Sequence, residues 1–145
     1  MPVTVEVAGE HDAEELTAAL QLLVPQLSRS NPPPPLDAVR AMLAHEAITQ
    51  FVARRDDGSI VGVSTLATFP IPTAIRGWVE DVIVDEASNN QGIGRMLLDA
   101  MVARARELGC KTVDLTSRPH RQAAHRLYEK AGFEVRDTSV YRFTL

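Results

Sequence analysis

Residues 78–116 constrain the fold more than any other part of the chain. Trp78-Val-Glu-Asp-Val-Ile-Val84 is a strand pattern rich in branched side chains. It leads through Gln91-Gly-Ile-Gly94 into a helix that carries Leu97, Met101, Ala105 and Leu108 on one face, and Gly109 is placed to end that helix in a left-handed cap. Lys111 to Thr116 then reads as a second strand, with Val113 and Leu115 facing one way. Strands joined through a crossover helix lie parallel in one sheet, so this stretch predicts a βαβ unit.

The rest of the chain adds strands of the other sense. Val3, Val5 and Val7 alternate with polar residues as a short strand, and Gly9 breaks it. Asp12 and Glu15 form a capping-box-like start for a helix bearing Leu16, Leu20, Leu23 and Leu27, which Pro25 should end or kink. Asn31-Pro-Pro-Pro-Pro-Leu36 cannot be helical and reads as a rigid loop. Asp37 is the expected cap of a second helix carrying Val39, Met42 and Leu43. Phe51–Arg54 and Ile60–Val63 flank Asp57-Gly58, a hairpin turn signal, and Pro70 to Gly77 reads as a loop. After the crossover unit, Ala123 to Lys130 is helical and Gly132 stops it. Residues 133–136 and 140–143 read as final strands.

The predicted order is β-α-α-β-β-β-α-β-α-β-β. This is an α/β fold with a mixed, mostly antiparallel sheet and helices on both faces, expected as a single domain over residues 1–145. A lone cysteine, Cys110, has no partner for an internal disulfide and is expected to be a buried small hydrophobe in a reducing compartment. The N-terminal stretch has neither the basic region nor the apolar core of a secretion signal, and no apolar run approaches bilayer length. A cytoplasmic protein without membrane contact is the expectation. Fifteen basic residues against 19 acidic ones give a formal charge of −4, the opposite balance from a nucleic-acid binder. His120 and His125 are five residues apart with no third ligand near, so no metal site is expected.

The glycine-rich junction is the chemical signal. A helix N-terminus presents unpaired amides and a partial positive charge, and glycine lets a phosphate approach them. Two familiar phosphate motifs do not fit: Gly94 is followed by Arg95-Met96 rather than Lys and a hydroxyl residue, and Leu97 stands where a dinucleotide fingerprint needs its third glycine.

Strand 78–84, the Gln91-Gly-Ile-Gly94 turn, the amphipathic helix, a second strand and then Ala124-His-Arg-Leu-Tyr-Glu-Lys-Ala-Gly-Phe133 together resemble the GNAT superfamily of N-acetyltransferases, over about residues 76–135. Three positions depart from that family's usual pattern, one of them Arg121, where many members carry Asn. Asn89 stands where the family has Arg or Gln, and Asn90 where glycine is common, which removes one charge from the phosphate cradle.

The resemblance implies the acyl-CoA N-acyltransferase fold, with acetyl-CoA as co-substrate in a cleft where strands 78–84 and 111–116 splay apart. Main-chain groups of Val82, Ile83 and Val84 would pair with its pantetheine arm. Asn89, Asn90, Gln91, Gly92, Ile93, Gly94 and Arg95 would surround its diphosphate, and Arg121 is a further candidate for a cofactor phosphate. An alkylammonium must first lose a proton, at about 4–5 kcal/mol at neutral pH. Glu80 and Asp81 are the candidate bases. In a regular strand only one of them faces the substrate, and Glu80, sharing a side with Val82 and Val84, is favoured; the resemblance also implies a bulge in many members here, which leaves Asp81 open. The Val82 amide is the expected oxyanion donor. Tyr128 matches the family's general acid, and a phenol protonates a thiolate only about 2 kcal/mol uphill.

The acceptor is expected to be a primary amine of a small molecule or peptide, covered by residues 24–40 and 69–76. Residues 76–84 also resemble amino-sugar-phosphate N-acetyltransferases. A non-catalytic CoA-binding sensor is the remaining alternative, and a homodimer is possible by the same resemblance.

Overall fold

The computed structural model describes residues 2–89 and 91–145. Strand β1 (Val3–Val7) is followed by helices α1 (Ala13–Leu27) and α2 (Leu36–Ala44), strands β2 (Ile48–Arg55), β3 (Ile60–Ile71) and β4 (Ala74–Val84), helix α3 (Ile93–Glu107), strand β5 (Thr112–Asp114) and helix α4 (Gln122–Lys130). The five strands lie in sequence order across one sheet. β1 to β4 are antiparallel, and β5 joins β4 in parallel, as the crossover requires.

Each face of the sheet has its own core. Phe51, Ala53, Leu66 and Val79 pack with Ile93, Leu97, Leu98, Met101 and Ala105 of α3. Val52, Val63 and Ile83 pack on the other face with Leu16, Leu20 and Leu23 of α1 and Val39 of α2. The alternation of Phe51, Val52 and Ala53 between the two cores is the pleat of a strand covered on both sides. Arg54 fastens the α1 side, pairing with Glu6, Asp12 and Glu15. Its hydrogen bond holds the Glu15 carboxyl below its usual range, and the two glutamates push the guanidinium up.

Several local expectations change. Asp12 stands at the N-cap of α1, as expected, but its side chain does not cap that helix: it accepts from the Gly9 amide at 2.8 Å and closes a short 3-10 turn, while Glu15 pairs with Arg54 instead of completing a capping box. Pro25 lies inside α1 rather than ending it, because the helix needs only one more turn beyond the missing amide, closed by Ser28 N–H donating to Val24 O. Asp37 lies within the first turn of α2, not at its cap, which is Pro35. The expected loop 70–77 is mostly strand: β3 and β4 pair out to Ile71 and Ala74, leaving only Pro72 and Thr73 to turn.

The largest correction is at the C-terminus. Among the described residues, neither 133–136 nor 140–143 forms a strand. Val135, Val140, Tyr141 and Phe143 are exposed, and an open groove of about 1260 Å³ lies between β5 and this segment. β5 itself is three residues long, shorter than the expected 111–116. Cys110 is partly buried beside the α3 core, which pushes its thiol up.

Candidate active site

The site is built by one irregularity in β4. Glu80 pairs with Thr65 and Ile83 with Val63, so Asp81 and Val82 together oppose Ser64 alone. This is a β-bulge, and it leaves backbone groups of the extra residue outside the ladder. Asp81 absorbs the bend in a left-handed conformation, φ 49°, where it is the only non-glycine among the described residues. The extra residue also corrects the expected facing of Glu80. Val79, Val82 and Val84 all pack towards α3. Glu80 therefore points to the opposite face, alongside Trp78, whose indole donates to its carboxylate at 2.8 Å.

The parallel pairing of β4 with β5 covers only Arg76–Trp78 against Thr112–Asp114, and the last of these contacts is braced by Arg76 and Asp114 at 3.0 Å. Beyond Trp78 the strands part. A small cleft of about 140 Å³ opens between Val79–Val82 on one wall and Leu115 and Thr116 on the other, with Leu27, Arg121 and Tyr128 closing it. Glu80 and Asp81 both line this cleft. The Asp81 carboxyl is pushed above its usual range, first by loss of water and second by the charge of Glu80. Tyr128 is held by an edge-to-face contact with Phe133, ring centres 6.3 Å apart.

At the far end of β4, Asp85 opens a turn by accepting from Ala87 N–H, and α3 then starts. Gly92 is the N-cap of α3 at φ 75°, with no side-chain cap and no acidic residue in the first turn. A Cβ built at Gly92 would meet nothing within 4 Å, so the space beside the α3 cap is open, and no side chain caps the helix. That is a fit for a diphosphate. Gly94 has a different reason to be glycine: a Cβ there would stand 3.1 Å from Leu127 Cδ2, so its absence lets α4 settle against α3 and brings Tyr128 to the cleft. Ile93 is buried in the core and contributes main chain only. The Arg95 side chain is turned along the helix to Asp99 at 3.0 Å. Asn89 ends the turn after β4, and Asn90 lies outside the described residues. Leu27, Leu115 and Thr116 fall within the ranges 24–40 and 111–116 expected to border the cleft; being apolar or small, none carries a chemical signal of its own.

The family model for the acetyltransferase (GNAT) family matches residues 16–133. The chain belongs to that family. Among curated GNAT relatives, mycothiol acetyltransferase from Propionibacterium freudenreichii subsp. shermanii is 36% identical over 61% of this chain. The chain spans only 28% of that protein's length. Aminoglycoside N(6')-acetyltransferase type 1 from Stenotrophomonas maltophilia is 30% identical, covering 74% of this chain and 73% of that one. In three dimensions the chain is similar to a putative acetyltransferase from Agrobacterium tumefaciens, with a TM-score of 0.82 and 28% identity over 98% of this chain and 99% of that one. Among the described residues, no helix of this GNAT chain is long and apolar enough to cross a membrane.

Proposed function

We propose that this chain moves the acetyl group of acetyl-CoA directly onto a primary amine of a small cationic molecule. One observation carries the reading. The free edge of β4 runs from a cleft holding two carboxylates and a tyrosine to an uncapped, open N-terminus of α3. Main-chain groups of Val82, Ile83 and Val84 hold the pantetheine arm. Amides from Gln91 to Arg95 hold the diphosphate, and Arg121, at the cleft, lies nearer the acyl end than the phosphate end.

In the reaction the amine nitrogen forms a bond to the acetyl carbon, and the carbon–sulfur bond breaks. Asp81 takes the amine proton, Val82 N–H donates to the carbonyl oxygen as charge builds there, and Tyr128 gives a proton to the departing sulfur. Asp81 displaces Glu80 as the favoured base because its raised affinity for protons matches the task, while Glu80 is engaged by Trp78 and serves to keep Asp81 basic. The paired carboxylates favour a cationic acceptor, and the similarity to an aminoglycoside N(6')-acetyltransferase supports an amine-bearing one.

Thiol release from acetyl-CoA across a panel of amines tests the proposal. Turnover with cationic small molecules supports it; binding of CoA without turnover on any amine would reduce the chain to a CoA-binding module. Asp81→Asn is expected to lower kcat about a hundredfold. Glu80→Gln removes the like charge that raises the Asp81 carboxyl, so Asp81 ionises more easily. The acid limb of the kcat/KM profile then moves to lower pH, and an unmoved limb would exclude Asp81 as the titrating base.

A further inference from the structure

The cleft and the donor loop are joined by a side chain that the mechanism above does not use. Gln26, in the last turn of α1, accepts from Glu86 N–H at 2.9 Å and donates to Asp85 Oδ1 at 3.3 Å. Asp85 is the first residue after β4, and its own amide is fixed to Val61 O at 2.9 Å. The turn that leads to Gly92 is thus anchored on one side to the sheet and on the other to α1. The next residue of α1, Leu27, is a wall of the cleft. Beyond it, the Ser28 amide still closes α1 on Val24 O, and the side chains of Ser28, Ser30 and Asn31 hydrogen-bond to one another at 3.2 and 3.0 Å.

We infer that Gln26 is a positioning residue that couples the acceptor-side wall, Leu27 and the segment after it, to the turn presenting the donor's diphosphate. The inference rests on the donor assignment made above. An amide is suited to this place because one group supplies the acceptor for Glu86 N–H and the donor for Asp85 at once. The coupling is reciprocal: if the donor steadies residues 85–92, it steadies the end of α1, and a fixed α1 end favours donor binding by the same factor.

The test measures CoA binding by calorimetry and amide exchange with and without CoA. The variants are Gln26→Leu, Gln26→Glu, and Gln26→Glu combined with Asp85→Asn. In the parent protein, CoA is expected to slow exchange both in residues 85–95 and in residues 22–31. Gln26→Leu loses both bonds to the turn, along with a longer one of 3.4 Å to Leu22 O within α1, so its Kd for CoA should rise about tenfold. Protection of 85–95 by CoA should persist while protection of 22–31 disappears. Gln26→Glu sets a second carboxylate against Asp85 and should bind CoA at least as poorly; adding Asp85→Asn restores a donor and should recover affinity. Parent-like Kd and parent-like protection of 22–31 in Gln26→Leu would overturn the coupling. So would equal loss of protection with and without CoA, which is the mark of a purely structural contact. A parent protein that does not bind CoA would instead overturn the donor assignment.

Discussion

Gly92→Glu is expected to lower affinity for CoA about a thousandfold, with the fold retained. Gly92 caps α3 at φ 75°, a conformation that costs an L-residue about 1–2 kcal/mol. A Cβ at this position meets no neighbour within 4 Å, so the new side chain has room and folding is not blocked. Its cost falls on the ligand. A carboxylate beside the α3 N-terminus replaces the diphosphate as the favoured anion there and repels it at a separation worth about 4 kcal/mol near a protein surface. Gly92→Ala separates the contributions: it carries the backbone strain without the charge and should weaken binding about tenfold at most. Calorimetry with CoA reads both. Parent-like affinity in Gly92→Glu would show that the diphosphate sits elsewhere.

Tyr128→Phe is expected to lower kcat by about two to three orders of magnitude while leaving CoA affinity within about threefold. The substitution keeps the ring, and with it the edge-to-face contact with Phe133, so the helix end and its main-chain bond from Phe133 N–H to Tyr128 O at 3.0 Å should persist. What is lost is the one proton donor that the tyrosine brings to the cleft where β4 and β5 part. Steady-state thiol release gives kcat, and calorimetry gives affinity. Unchanged turnover would remove Tyr128 from the proton path, and equal losses in both quantities would make it a binding residue.

What could be read from the chain depended on how local the cause was. The α3 stripe of Leu97, Met101 and Ala105 repeats within one helix, and all three are buried where expected. β2 and β3 join as the expected hairpin around Asp57-Gly58, but the turn sits on Asp56 and Asp57, with Gly58 N–H donating to Arg55 O and Gly58 alone taking the positive φ of 89°. The C-terminal valines and aromatics failed as strands because β propensity only describes fitness for a sheet, and no partner edge takes them up. The bulge has no local signature, because it is a relation between Asp81, Val82 and Ser64 on another strand, and only the family resemblance raised it. The Gln26–Asp85 contact spans 59 positions and leaves no trace in either neighbourhood. In the site, then, the glycine turn and Tyr128 stood out as local motifs. The choice between the two carboxylates did not, since it turned on which face each occupies.

The extra residue in β4 has a corollary. Val79 and Glu80 on one side of it, and Val82, Ile83 and Val84 on the other, already obey a common alternation if Asp81 is left out of the count. Excising that one codon would yield an ordinary straight ladder with every aliphatic side chain in its present compartment. On the proposed reaction, which places the base on Asp81, deleting this one residue is expected to keep both hydrophobic layers while abolishing acetyl transfer.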